Sequence, residues 1–297
     1  MYFLFPGQGS QAVGMGRDFF EHSAAARRVF DAGVEFFGAD FLSLIFEGDA
    51  EVLNDTRHAQ PALFLVEIAI VSHLRSQGVE PEGVAGHSLG EIAAVVTAGA
   101  CSLETGFSII RERALLMSTQ APAGGMLAVL HPDVETWRVH LPEDVDIANY
   151  NAPAQTVISG TPEALERAAA ALKAAGIKRL VPLKTSGPFH SRHMRAAAEQ
   201  FAAFLDTVRF ERPSCVFVSS VSGKVESEPD RIRELLGQQL FSPVRWTSVM
   251  ETLSGVRCIE VGPGNVLKGL AKRMENGPEV QCVGTFDEAQ ALCAALS

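Results

Sequence analysis

Short apolar runs punctuate the chain at residues 2–5, 83–86, 215–219, 258–261 and 281–284, separated by longer stretches in which apolar positions recur at helical spacing. Buried parallel strands alternating with helices predict an α/β fold with a mostly parallel sheet. Between residues 126 and 183 the pattern changes to strand 126–130, helix 133–140, strands 145–148 and 156–159, helix 162–175 and strand 179–183. This βαββαβ order predicts a ferredoxin-like unit. Its second helix is sharply bounded, with Thr161 as N-cap, Pro162 at the first helical position, Glu163 in the first turn and Gly176 past the end. The chain therefore divides into a core of residues 1–124 and 188–297 and an inserted small domain of residues 125–187. Ala123-Gly124-Gly125 and Ser186-Gly187-Pro188 act as hinges, and a cleft between the parts is the natural place for a site.

Two helical stripes carry polar residues on apolar faces. On residues 106–120, Ile109, Ile110, Leu116 and Met117 share a stripe with Arg113 near its centre, while Arg111 points away. A buried arginine needs a partner, either a carboxylate of the protein or one belonging to a substrate held in a bidentate pair. After His190 the stripe is Met194, Ala197, Phe201 and Phe204; His190 extrapolates onto it and His193 falls at its edge. The longest apolar stretch, residues 61–74, contains Glu67, Ser72 and His73 and is too short and polar to span a bilayer. The opening Met1-Tyr2-Phe3-Leu4-Phe5 has no basic flank and meets Pro6 at once, unlike a signal peptide.

The 297 residues are 47% hydrophobic and 20% charged, which excludes a disordered chain and supports a large core. A net charge of −10 without basic blocks argues against nucleic acid as a partner. Cys101, Cys215, Cys258, Cys282 and Cys293 are odd in number and widely spaced, which reads as reduced core residues in a cytoplasmic protein.

Gly86-His87-Ser88-Leu89-Gly90 is a G-x-S-x-G sequence between a strand and a small-residue helix starting at Glu91, the setting of a nucleophilic serine. His190 is the base candidate: a lone inward histidine is more often a satisfied core residue, but a candidate nucleophile calls for an imidazole within hydrogen-bond reach. No acidic residue between Ser88 and His190 stands out as a third triad member, so a carbonyl is the alternative orienting group. Gly7-Gln8-Gly9-Ser10-Gln11-Ala12 formally matches a dinucleotide fingerprint, but Pro6 occupies the turn and no acidic strand end follows near position 30. There is no P-loop sequence and no metal-ligand spacing of Cys and His.

Taken together, Phe5-Pro6-Gly7-Gln8-Gly9-Ser10-Gln11, Gln60-Pro61-Ala62-Leu63, Gly86 to Glu91, Arg113 with Leu116-Met117, residues 149–160, Gly187-Pro188-Phe189-His190-Ser191 and Glu260-Val261-Gly262-Pro263-Gly264 resemble malonyl-CoA:acyl carrier protein transacylases. Stand-alone acyltransferases of polyketide synthases belong to the same group. The resemblance implies a hydrolase-like core with a ferredoxin-like insert and no permanently bound cofactor or metal. It implies Ser88 as nucleophile, His190 as general base and acid, and Arg113 as the holder of the malonyl carboxylate. The backbone N–H groups of Gln8 and Leu89 would form the oxyanion hole, a carbonyl of Gln239 would orient His190, and Phe189 would crowd the malonyl α-carbon, favouring malonyl over methylmalonyl. Malonyl-CoA would load Ser88 and the phosphopantetheine thiol of an acyl carrier protein would unload it. Lys184, Arg192, Lys268, Lys272 and Arg273 are candidates to meet an acidic carrier. The alternatives are an acyl hydrolase that clears carrier proteins, a docking module without catalysis, and a carboxylesterase. Since the base must be neutral, activity should fall as pH drops through an ordinary imidazole pKa near 6.5.

Overall fold

The computed structural model describes residues 1–296. Their strands are β1 (Tyr2–Phe5), β2 (Gly83–Gly86), β3 (Gly125–Val129), β4 (Asp146–Ala152), β5 (Gln155–Gly160), β6 (Leu180–Pro182), β7 (Val216–Val218), β8 (Val225–Glu226), β9 (Arg257–Val261) and β10 (Glu279–Val283). They form a six-stranded sheet in the order β10-β9-β1-β2-β7-β8 and a four-stranded sheet in the order β4-β5-β3-β6. The large sheet is parallel from β10 to β7. The two-residue strand β8 turns back antiparallel on β7 and adds an edge the apolar pattern does not predict. The small sheet is antiparallel throughout.

Phe3, Leu4 and Phe5 are fully buried, as expected of a central parallel strand with helices on both faces. The helix Thr56–Ser76 runs through the interior with most of its residues buried, started by the Asp55 side chain accepting from the backbone N–H of Arg57. No helix among the described residues is long and apolar enough to cross a membrane. Over the small sheet, Trp137, Ala164, Ala168 and Leu172 pack on Leu127, Val129 and Ile158 as a separate apolar cluster.

Several local expectations are corrected. The helix expected over 133–140 is a single α-turn, Val134–Trp137, tightening into a 3₁₀ turn at Arg138–His140. Asp133 before it is left-handed with φ of 54° and makes no side-chain cap, so the helix starts without the usual support. After His190, Phe204 is only half-buried at the edge of the stripe and Leu205, four residues after the buried Phe201, takes the inward place on the helix Arg195–Leu205. Of the cysteines, only Cys101 and Cys258 are buried; Cys215, Cys282 and Cys293 lie half-buried, and none is in a disulfide among the described residues. The bounds of most other strands shift by one to four residues, consistent with fraying at element ends.

Parallel register decides where the site forms. Phe5 at the end of β1 stands opposite Gly86 at the end of β2, so the chain leaves both strands at the same edge, carrying Gln8 and Ser88. A backbone bridge joins the small sheet to the other part: Tyr150 N donates to Val244 O at 2.8 Å, and Val244 N donates to Ala148 O at 2.8 Å.

Candidate active site

Ser88 sits between β2 and the helix Gly90–Thr97 in a left-handed conformation, φ 54°. The turn is tight because its glycines permit contacts no side chain could. A Cβ on Gly86 would fall 2.0 Å from the Gly90 carbonyl carbon, and one on Gly90 would fall 2.3 Å from Phe5 O. The strained turn points Ser88 Oγ at His190 Nε2, 2.8 Å away.

His190 is itself left-handed, φ 56°, and only 4% exposed. Its Nδ1 faces two carbonyls, Gln239 O at 2.9 Å and Ser242 O at 3.1 Å. A carbonyl only accepts, so Nδ1 carries the proton and Nε2 presents its lone pair to Ser88. Gln239 caps the end of the helix Pro229–Gln238, where carbonyls lack intrahelical donors and are free to take an imidazole N–H. Burial and the nearby positive charge of Arg113 push His190 down to about 3. The expectation that protonation near pH 6.5 disables it is thereby corrected: the imidazole stays neutral far below that pH. His193 lies apart, half-buried with Nε2 3.4 Å from Asp144 O.

Arg113 is 1% exposed on the inner face of the helix Leu103–Thr119, whereas Arg111 lies outward over the Phe36 ring. Its guanidinium donates to Gln239 Oε1 through Nε at 2.9 Å, to Gln60 Oε1 through Nη1 at 2.5 Å and to Ser88 Oγ through Nη2 at 3.1 Å. All three acceptors are neutral, and no carboxylate of the described residues pairs with it. Burial pulls Arg113 down to about 9, opposed by the charge of Glu91, so it remains a cation at neutral pH. A buried cation held only by neutral dipoles has the chemistry to receive an anion.

Gln8 and Leu89 bring backbone N–H groups to the same edge, and neither donates to a protein acceptor among the described residues. The Gln8 side chain donates to Thr56 Oγ1 at 3.1 Å. Phe189 is 4% exposed, next to His190 in the chain. A cavity of about 780 Å³ reaches His190, lined also by Arg138, Tyr150, Arg192, Arg195 and Phe241. His87 points away from Ser88, with Nε2 2.8 Å from Asn151 Oδ1 and its ring edge-on to Trp246.

Two further residues join this cluster that the sequence reading places in motifs but gives no role. Gln60, fully buried on the long interior helix, supplies an amide oxygen to Arg113. Glu91, fully buried three residues after Ser88, accepts from Gln239 Nε2 at 2.6 Å. A polar residue at the head of an apolar helical run is the one signal that marks Gln60.

Residues 2–290 match the family model described as acyl transferase domain. The malonyl CoA-acyl carrier protein transacylase of Bacillus subtilis (strain 168) is 43% identical over 283 residues, covering 92% of this chain and 89% of that one. The structure is similar to a type II polyketide-synthase malonyl-transacylase in complex with its acyl carrier protein, at a TM-score of 0.94 and 35% identity, covering 99% of both chains. It is also similar to an acyl carrier protein S-malonyltransferase from Vibrio cholerae, at a TM-score of 0.93 and 37% identity, covering 98% of this chain and 99% of that one.

Proposed function

The chain belongs to the acyl transferase family, and from that premise we propose that it moves a malonyl group from malonyl-CoA to the phosphopantetheine thiol of an acyl carrier protein, in fatty-acid or polyketide synthesis. The observation that carries this reading is Arg113, a buried cation on neutral acceptors whose Nη2 lies 3.1 Å from the candidate nucleophile. A malonyl group is an acyl carbon with a carboxylate two bonds away, and Arg113 sets the distance and direction between the two.

In the first half-reaction Ser88 Oγ attacks the thioester carbon while its proton passes to His190 Nε2. The carbon–sulfur bond then breaks and Nε2 protonates the departing thiolate. In the second, the carrier's thiol gives its proton to Nε2, its sulfur attacks the acyl-serine, and the proton returns to Ser88 as the carbon–oxygen bond breaks. The Gln239 and Ser242 carbonyls support the imidazolium formed between these transfers. The unpaired N–H groups of Gln8 and Leu89 serve the oxyanion. Phe189 restricts the space beside the α-carbon. The chemistry uses no resident cofactor or metal.

We read the large sheet as a hydrolase-like core and residues 125–187 as a ferredoxin-like insert. The small-sheet order supports this, since counting only its own strands it runs 2-3-1-4 and is antiparallel. The two crossings also lie side by side, with Gly124 against Pro188. Cysteines outside any disulfide fit a cytoplasmic site of action. The acyl hydrolase alternative lacks support, because the relatives named above are transferases and hydrolysis of a neutral acyl group gives Arg113 no task. The direct test is intact mass after brief exposure to malonyl-CoA without a carrier: one malonyl group should be gained, and none by Ser88→Ala.

A further inference from the structure

Glu91 is fully buried, on a helix whose neighbouring residues Ile92, Ala93, Ala94 and Val95 are apolar and equally buried. Packing alone gives no reason for a carboxyl group there, and burying one costs free energy unless each oxygen is served. Both are. Oε1 accepts from Ser220 N at 3.0 Å, and Oε2 accepts from Ser220 Oγ at 2.7 Å and Gln239 Nε2 at 2.6 Å.

The Gln239 side chain is fully buried between Glu91 and the reacting groups. Its Oε1 accepts from Arg113 Nε at 2.9 Å, and its Nε2 divides its two hydrogens between Ser88 O, 3.0 Å away, and Glu91 Oε2. We propose that Glu91 is a positioning residue for acyl-group selection: it anchors the Gln239 amide, which in turn fixes the Arg113 guanidinium beside Ser88. The inference rests on the transacylase reading and adds to it a residue that touches neither substrate nor nucleophile side chain.

The chemistry at Glu91 requires a carboxylate rather than an amide. Two fixed donors, the Ser220 N–H and the Gln239 Nε2–H, approach different oxygens of Glu91, and only a group that accepts at both ends satisfies them. In Glu91→Gln one of these donors must face an NH₂ group. The clash either leaves Ser220 N unpaired or pushes the Gln239 amide off its position, and the second outcome loosens Arg113 Nε. Neutral acyl groups make no use of Arg113, so the loss falls on malonyl.

The test compares single-turnover loading of Ser88 by malonyl-CoA and acetyl-CoA, read by intact mass, in wild type, Glu91→Gln, Gln239→Met and the double variant. Gln239→Met removes the amide and keeps the backbone carbonyl that serves His190. Glu91→Gln is expected to lower the malonyl-to-acetyl ratio by about tenfold, the effect of one buried hydrogen bond left unmade. Gln239→Met should lower it at least as far, and the double variant no further than Gln239→Met, since both act through one amide. Equal losses with the two thioesters, or independent losses that multiply in the double variant, would overturn the positioning role. Should Glu91→Gln fail to fold, Gln239→Met decides, and an unchanged ratio there overturns it too. A wild type that takes no malonyl group removes the transacylase reading first and this inference with it, which separates that failure from an unchanged ratio.

Discussion

Ser88 and His190 are 102 residues apart in sequence, yet they meet at 2.8 Å with the same unusual backbone, φ 54° and 56°. Non-glycine residues avoid this region because Cβ crowds the following carbonyl. Here both members of the proposed proton-transfer pair occupy it, which concentrates strain at the candidate site. Replacing Ser88 by Ala or Gly removes the hydroxyl in both cases, but only Gly relieves the backbone. Ser88→Gly should therefore be more stable than Ser88→Ala by about 1 kcal/mol in denaturant unfolding, with neither variant taking a malonyl group. Equal stabilities would mean that the turn is not strained.

The pH profile follows from His190 being held neutral down to about 3 by burial and by Arg113. Loading of Ser88 should stay level from pH 7 to pH 5 in single-turnover measurements, where an ordinary imidazole would already be largely protonated. Stability should move the other way. Below pH 6.5 the unfolded chain binds a proton at position 190 that the folded protein refuses, so acidification favours unfolding. Relative to His190→Asn, wild type should lose stability progressively as pH falls from 6.5 toward 3. A loading break near pH 6.5 would show the imidazole to be ordinary in solution.

The strands β1 and β2 were legible as continuous apolar runs closed by Pro6 and Gly86, and Arg113 as a charge on an apolar stripe. These are local patterns, one residue type against its neighbours at a fixed period. What was not legible depends on contacts between distant residues. Nothing near Gln239 in sequence announces that its amide meets Arg113 and Glu91, which lie 126 and 148 residues away. Its carbonyl was reached only through family resemblance. The β8 edge was missed because a two-residue strand has no period to detect.

The five cations suggested for carrier docking separate once their surroundings are known. Arg192 is committed to Asp146, with Nη2 2.6 Å from Oδ1, and Arg273 bonds to Gln155. Lys184, Lys268 and Lys272 form no ion pair among the described residues, and Lys184 and Lys272 are exposed. Lys184→Glu with Lys272→Glu should raise KM for an acidic carrier severalfold and leave malonyl-CoA loading within about twofold. Arg192→Glu should instead lower the melting temperature, by putting a like charge beside Asp146. If the lysine pair changes both substrates equally, these lysines do not meet the carrier.

Phe189 is buried immediately before His190 in the chain, and on the proposed reading its ring crowds the malonyl α-carbon, so truncating it should open space there. Phe189→Ser should raise methylmalonyl loading relative to malonyl in direct competition by roughly 10-fold or more, since one methyl in an apolar pocket is worth about 1–3 kcal/mol. The cavity should also reduce stability by about 3 kcal/mol or more, in line with other truncations of buried aromatic rings. An unchanged ratio alongside the stability loss would assign Phe189 to the core alone.

Arg113 separates transfer of malonyl from any chemistry on neutral acyl groups. Three of its five N–H donors are engaged in the free protein, by two amide oxygens and a hydroxyl, none of which balances its charge. The carboxylate whose charge acts most on it, Glu91, stands behind the Gln239 amide rather than in contact. In the proposed function the malonyl carboxylate supplies the missing charge in a desolvated pocket, and truncating Arg113 would leave that carboxylate unpaired at a loss of about 3–5 kcal/mol. Malonyl loading by Arg113→Ala should fall by roughly two to nearly four powers of ten. Acetyl-CoA brings no carboxylate, so its loading should fall far less. Some thermal stability should also go, because Gln60 Oε1 and Gln239 Oε1 lose their buried donors. That loss alone does not separate a receptor from a scaffold. The ratio of the two loading rates does: a scaffold weakens both thioesters together, whereas a receptor for the malonyl carboxylate reverses the preference.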